Sequence, residues 1–297
     1  MGGSDRETTM SWKHFDLTAA DATLGAVVTG IKLAALDEVA FEELYAAWLQ
    51  HAVLILPGQH MSTDEQIRLA ARFGPAEYQL APISNLRSDG TVRPEDDDDV
   101  VKILKGNMGW HCDSTYLAVQ SKGAVLSAHI VPDAGGETEW ADMRAAYDAL
   151  DPDRRSQVDR LSAHHSLAYS QAKLGHRHTA GSAYSGYGMT ETEAPLRPMM
   201  KVHPETGRRC LMIGRHAHAI PGLSDAESQA LLDDLEAFAC QPPRVYQHRW
   251  EPGDVVIWDN RATMHRARPW NLKEPRLMYH SRIAGDQVSE GWIRPAA

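Results

Sequence analysis

Along the chain the apolar positions change period several times, and each change predicts an element. Residues 36–51 have helical spacing, with Phe41, Leu44, Tyr45 and Leu49 on one stripe. The unbroken apolar run Ala52-Val53-Leu54-Ile55-Leu56, closed by Pro57-Gly58, is the pattern of a short buried strand. Ser62-Thr63-Asp64-Glu65 has the form of a capping box and predicts a helix to about Phe73; Ser224-Asp225-Ala226-Glu227 predicts another to about Cys240. Helices are also expected over 142–150 and 152–161. Strands are expected over 23–31 (a pair around glycines), 100–104, 123–131, 138–141, 164–169, 244–250, 255–258 and 275–283. Residues 196–203 and 210–213 flank the turn Pro204-Glu205-Thr206-Gly207, which predicts a hairpin.

Elsewhere the pattern dissolves. Residues 1–13 read as a disordered or tag-like lead, leaving 14–297 as one domain. Between 74 and 100 there is no period. The like-charge block Glu95-Asp96-Asp97-Asp98-Asp99 reads as a solvated loop, placed where it could cover a site that follows. Calcium is the alternative for it, but the block lacks the glycine and spaced ligands of an EF-hand. The glycine-rich stretch 175–189 is expected to be a long loop. With many short strands, inserted helices and no repeat or linker, the chain is expected to be mainly β, built on one sandwich or jelly-roll core.

Composition narrows the function. Apolar residues make up 43% and charged residues 24%, enough to bury a core. No apolar run approaches the length of a membrane span. The net charge is −10 and there is no basic stripe, so neither nucleic acid nor membrane is expected as a partner. Cys112, Cys210 and Cys240 form an unpatterned set, which reads as reduced thiols in a cytoplasmic protein.

Candidate chemistry concentrates at Trp110-His111-Cys112-Asp113-Ser114-Thr115-Tyr116. In an extended segment His111 and Asp113 point to the same side and Cys112 away from it. A third ligand is available in His265, just past Val255-Val256-Ile257-Trp258. Two His and one carboxylate form the facial set of non-haem Fe(II) oxygenases. Zinc can use the same donors, although the His-Glu-x-x-His pattern of zinc hydrolases is absent. Other histidines compete: His176-x-His178 has no neighbouring carboxylate, His216-x-His218 could be a pocket wall, and adjacent His164 and His165 face opposite ways in a strand. Arg276, with the Thr138 hydroxyl, would make a good grip for a carboxylate in a dry pocket.

The ordered set His111-x-Asp113, Thr138, His265 and Arg276 resembles the taurine / 2,4-D (2,4-dichlorophenoxyacetate) dioxygenase family of Fe(II)- and 2-oxoglutarate-dependent oxygenases. The similarity covers about residues 23–285. Its motifs are Trp110-His111-Cys112-Asp113-Ser114-Thr115, Gly135-Gly136-Glu137-Thr138, and Trp258-Asp259-Asn260-Arg261 leading to His265-Arg266-Ala267. Within the family the chain is most similar to the aryloxyalkanoate dioxygenases of the (S)-2-phenoxypropionate type, through residues 46–52, 141–150 and 213–222.

This resemblance implies a double-stranded β-helix with iron inside, held by His111, Asp113 and His265. Arg276 and Thr138 would bind the far carboxylate of 2-oxoglutarate, and O2 would be the other co-substrate. An aryloxyalkanoate, a small anionic aromatic, would be hydroxylated beside its ether oxygen and collapse to a phenol and an oxo acid. Asn107 matches a substrate-contacting position of taurine-type members. Many members carry an Arg four residues after the 2-oxoglutarate Arg; here His280 stands there, with Arg282 two further on. Arg215, His216, Lys102 and Lys105 are further candidates for the substrate anion, each also readable as a solvated charge or satisfied polar group. Trp258 reads as a core aromatic beside the metal and residues 78–82 as a mobile pocket wall. A homo-oligomer is expected. A taurine-like sulfonate or other small-acid dioxygenase is the alternative function, and a non-catalytic jelly-roll binding module a remoter one.

Overall fold

The computed structural model of the chain describes residues 12–94, 98–176 and 194–293. Its elements begin with β1 (Asp16–Ala19) and β2 (Ala26–Thr29), an antiparallel pair. Helix α1 (Glu38–His51) starts on Asp37, whose side chain accepts from the Ala40 N–H, and buries Phe41, Leu44, Ala47 and Trp48. After β3 (Val53–Leu56), α2 (Thr63–Phe73) opens on the Ser62–Glu65 capping box that the sequence predicts. Then follow β4 (Ala76–Ser84), α3 (Asp99–Gly106), β5 (Gly123–Ile130), β6 (Thr138–Asp142), α4 (Met143–Asp148) and α5 (Pro152–Val158). The chain continues through β7 (Ser162–His165), α6 (Leu167–Ala172), β8 (Leu196–Pro198), β9 (Met200–Val202), β10 (Arg209–Leu211) and β11 (Ala217–His218). It finishes with α7 (Asp225–Ala239), β12 (Val245–His248), β13 (Val255–Asp259), β14 (Thr263–Ala267) and β15 (Leu277–Ile283). The chain is mainly β with inserted helices.

The largest sheet has the order β1-β2-β3-β13-β5-β15-β4. Its central strands are buried on both faces, which is why they read as unbroken apolar runs. Leu54, Leu56, Val125, Val255 and Ile257 pack with α1 and α2 on one face. Val53, Ile55, Leu126, Val256, Trp258 and Met278 pack on the other, against Trp140 and Trp250. Trp140 belongs to a three-stranded sheet, β12-β6-β14, so the inner core lies between two sheets. A second three-stranded sheet, β11-β7-β8, and the predicted hairpin β9–β10 complete the set.

Several expectations fail, each for a local reason. Residues 100–104 are helical, in α3, not a strand: Val101 and Leu104 are buried at helical spacing and the Asp98 side chain caps the start. Asp98 and Asp99 therefore belong to a helix start rather than to a loop, while 95–97 lie outside the described residues. The expected strand 164–169 splits at Ser166, whose hydroxyl accepts from the Tyr169 N–H and starts α6. Strand β4 falls inside the stretch that showed no period; as a half-exposed edge it carries no alternation. Most of the expected loop 175–189, His178 included, lies outside the described residues, as do residues 1–11 of the expected lead.

Candidate metal and co-substrate site

The site forms where the two inner faces meet. His111 and His265 sit directly opposite each other and exchange both backbone bonds, His111 N–H to His265 O at 3.0 Å and His265 N–H to His111 O at 2.8 Å. Such a pair carries both side chains to the same face, and the ring centroids are 4.3 Å apart. The chain then turns through Asp113. Asn260 holds that turn: its Oδ1 accepts from the Asp113 N–H at 2.8 Å, and its Nδ2 donates to Asp113 O at 3.0 Å and to Ser121 O at 2.9 Å. Asn260 is held in its own turn by Asp259 and Arg261, whose guanidinium forks onto the Asp259 carboxylate. Cys112 faces away, its thiol on Thr263 O.

One donor atom each from His111, Asp113 and His265 lies within 4.8 Å of the others, the one such group among the described residues. The His111 Nδ1 is engaged by Gly109 O at 2.8 Å, which turns Nε2 to the common point. Asp113 Oδ2 is buried with no hydrogen-bond partner and lies 3.8 Å from His265 Nε2. Burial lowers the His111 pKa to about 4 and that of His265 well below its ordinary value, so both rings are neutral, the ligating form. For Asp113, burial alone would favour the acid; the Arg282 guanidinium outweighs it and holds the carboxyl well below the usual range. An orphaned carboxylate oxygen between two neutral imidazoles suits a divalent cation.

Arg276 and Thr138 line the same cavity. The Arg276 guanidinium is 3% exposed, rests over Trp270, and makes one long bond to Gly136 O at 3.3 Å, leaving Nε without a partner. Burial is the only influence on its pKa, lowered to about 10, because no acid stands close enough to offset it. The glycine pair before β6 lets the backbone pass close to the Pro269–Trp270 segment: Gly135 and Gly136 both have positive φ, and a Cβ on Gly135 would lie 2.4 Å from Pro269 O. Thr138 Oγ1 accepts from Trp250 Nε1 at 2.9 Å, which leaves the hydroxyl hydrogen to donate elsewhere.

The remaining candidates divide. Asn107, Arg215, His216 and His280 line the cavity. Arg215 donates to Gly106 O and His216 Nδ1 pairs with Ser170 Oγ at 2.9 Å. Arg282 also lines it, but its guanidinium is engaged by Asp113 Oδ1 at 2.9 Å, Ser114 Oγ at 2.9 Å and Glu77 Oε1 at 3.2 Å. Lys102 and Lys105 do not line this cavity; Lys102 pairs with Asp99. Trp258 stacks on His280 at 14° and 5.4 Å, and touches His265. The walls include Ile83, Ile103, Leu104, Tyr116 and Leu167. Sequence reasoning missed Tyr78 as a partner of His280, and the roles of Asn260 and Glu77, because nothing in spacing links residues so far apart in the chain. Only the Asp259-Asn260-Arg261 motif carried a signal.

Two imidazoles and a carboxylate facing one point, beside a buried guanidinium that has no acid partner, form the side-chain set of the non-haem Fe(II) oxygenases that use a keto-acid co-substrate. A family model described as "Taurine catabolism dioxygenase TauD, TfdA family" matches residues 13–282, and the chain belongs to that family. It is 60% identical over 278 residues to the (S)-phenoxypropionate/alpha-ketoglutarate-dioxygenase of Sphingobium herbicidovorans, covering 93% of this chain and 97% of that protein. It is 36% identical over 269 residues to the alpha-ketoglutarate-dependent 2,4-dichlorophenoxyacetate dioxygenase of Cupriavidus pinatubonensis, covering 86% and 92%. The crystal structure of AAD-2 in complex with Mn(II) and N-oxalylglycine superposes with a TM-score of 0.86 at 33% identity, covering 94% of this chain and all of that one. The protein is an Fe(II)- and 2-oxoglutarate-dependent dioxygenase, with O2 as its other co-substrate. Among the described residues no helix is long and apolar enough to cross a membrane.

Proposed function

We propose that the enzyme hydroxylates the carbon beside the ether oxygen of an aryloxyalkanoate, releasing a phenol and an oxo acid with succinate and CO2. The observation that carries this reading is the juxtaposition in one cavity: an orphaned carboxylate oxygen between neutral imidazoles, a buried guanidinium with no anion, and apolar walls. Similarity at 60% to an (S)-phenoxypropionate dioxygenase supports the substrate class.

In this reading His111, Asp113 and His265 would hold Fe(II), and Arg276 with Thr138 would hold the far carboxylate of 2-oxoglutarate. When bound, the ion and the keto acid would supply the oxidation: one atom of O2 would enter succinate as 2-oxoglutarate loses CO2, and the other would enter the substrate C–H bond. The chain's share is placement. Arg276 gives a fork with no competing acid, which could take a carboxylate of the keto acid at two points. Arg282 keeps one Asp113 oxygen occupied and leaves the other free to take the ion. Ile83, Ile103, Leu104 and Leu167 exclude water and pack the aryl ring. Asn107, Arg215, His216 and His280 are the candidates for the substrate carboxylate, with Arg282 acting through Asp113.

The large sheet and β12-β6-β14 form the two halves of a double-stranded β-helix in this proposal, a reading the shared Trp140–Trp258 core supports. Residues 14–297 act as one domain behind a lead of 1–13. The protein works in the cytoplasm as a homo-oligomer, without nucleic-acid or membrane partners; a net charge of −10 opposes binding to phosphate backbones.

Succinate release measured over both enantiomers of a chlorophenoxypropionate, chlorophenoxyacetate and taurine tests the substrate. Phenol formation from an aryloxy acid supports the assignment. Turnover of taurine with none of the phenoxy acids overturns it.

A further inference from the structure

His280 stands 4% exposed at the inner face of β15, stacked flat on Trp258. Its Nδ1 is 2.7 Å from the Tyr78 hydroxyl, which reaches across from the neighbouring strand β4. Its Nε2 has no hydrogen-bond partner and lines the cavity, 3.7 Å from Asp113 Oδ2. That distance is too long for a hydrogen bond, yet the carboxylate biases which nitrogen carries the proton, and the Tyr78 contact at Nδ1 completes the bias. With hydrogen on Nδ1, the bare Nε2 lone pair would face a carboxylate oxygen, and two acceptors would repel in a site of low dielectric. With hydrogen on Nε2, the N–H dipole faces the carboxylate and Nδ1 accepts from the phenol. Burial strengthens the Tyr78 hold on its own hydrogen, because it pushes the phenol far above its ordinary range.

We propose that Tyr78 is a positioning residue that locks His280 as the Nε2–H tautomer, making it a neutral donor for a carboxylate oxygen of a ligand in the cavity. This role rests on the reading of the cavity given above. A ligand oxygen is the fitting acceptor, because a bound ion would take Asp113 Oδ2 and Nε2–H has no hydrogen-bond partner among the described residues. The carboxylate comes either from the substrate or from the keto-acid end of 2-oxoglutarate; the chemistry is the same, and the two sources separate in the test. A neutral donor at this place orients an anion without adding a second buried cation beside Arg282. An arginine there would have to share Asp113 with Arg282 or stand unpaired.

The test has two parts, the first independent of turnover. Ring-nitrogen NMR of the metal-free protein reads the His280 tautomer directly. The wild type gives the Nε2–H form, and Tyr78→Phe gives a mixture or the Nδ1–H form. An Nδ1–H ring in the wild type, or an unchanged tautomer in Tyr78→Phe, overturns the proposal whether or not the enzyme acts on aryloxy acids.

The second part compares Tyr78→Phe, His280→Gln, His280→Asn and the double variant Tyr78→Phe/His280→Gln. Calorimetric binding of 2-oxoglutarate and of substrate to the Mn(II)-loaded protein is measured beside KM and kcat. A glutamine amide donates from the place of Nε2 without a tautomer to fix, whereas asparagine does not reach it. Tyr78→Phe and His280→Asn should weaken one of the two ligands about tenfold or more, with a smaller effect on kcat. His280→Gln should stay within a few-fold of wild type, and adding Tyr78→Phe to it should change nothing further. Weakening confined to the substrate assigns the acceptor to its carboxylate; weakening confined to 2-oxoglutarate assigns it to the keto acid. Equal loss from Tyr78→Phe in the wild-type and His280→Gln backgrounds marks a merely structural tyrosine and overturns the proposal, as does no loss in either.

Discussion

Arg282 donates to the outer oxygen of Asp113 at 2.9 Å and leaves the inner oxygen, Oδ2, without a hydrogen bond. The same guanidinium reaches Ser114 Oγ and Glu77 Oε1, so one cation ties β15 to the turn after His111 and to β4. The carboxylate is thereby ionised and aimed before any ligand arrives. A lysine cannot span the same partners, since it offers one point charge in place of a planar fork. Arg282→Lys should weaken Mn(II) binding by about ten- to a hundredfold with the far-ultraviolet dichroism unchanged. Equal affinity in wild type and variant would show that the ion does not depend on this pair.

Arg276 is a buried cation in the cavity with no acid beside it. Arg276→Ala should leave metal binding intact and raise the 2-oxoglutarate KM by roughly ten- to a hundredfold, the worth of about 1.5–3 kcal/mol for a charge-assisted bond. Because the wild-type guanidinium is unpaired until ligand binds, the variant should also unfold at no lower temperature. An unchanged co-substrate requirement would remove Arg276 from the role.

Glu236, on α7 and away from the cavity, supplies a pH dependence. Burial, then repulsion from Asp233, raises its pKa from 4.5 to about 7. The folded chain holds this proton more tightly than the unfolded chain. The stabilisation is full below about 4.5 and is lost as the pH rises through about 7. The thermal midpoint of Glu236→Gln should therefore gain on that of the wild type across this window. Parallel midpoints from pH 5 to pH 8 would contradict the environment described for this side chain.

The main-sheet strands could be read from sequence because their burial on two faces writes an unbroken apolar run, as in Val53–Leu56 and Val255–Asp259. Capped helices were legible from Ser62 and Ser224, where side chain and backbone satisfy each other within four residues. Val100–Leu104 deceived because five residues of mixed apolar character fit either period; the Asp98 cap and the burial of Val101 and Leu104 three residues apart decide for helix. The metal and keto-acid candidates were named through His111-x-Asp113, Thr138, His265 and Arg276, whose motifs bear a family resemblance. Tyr78, Glu77 and the tie between Arg282 and Asp113 were not, since each acts through a partner brought close only by strand pairing. For Arg282 the sequence suggested a hand for the substrate; the fold uses it on Asp113.

His111, Asp113 and His265 should hold one ion jointly, and Mn(II) titration of the metal-free chain tests this most directly. Binding is read from the paramagnetic resonance of the free ion, in wild type and in His111→Ala, Asp113→Ala and His265→Ala. The wild type should take up one ion per chain, and each folded variant should lose that binding by a hundredfold or more, on the order of 3 kcal/mol or above. Wild-type stoichiometry and affinity in His265→Ala would contradict the shared site.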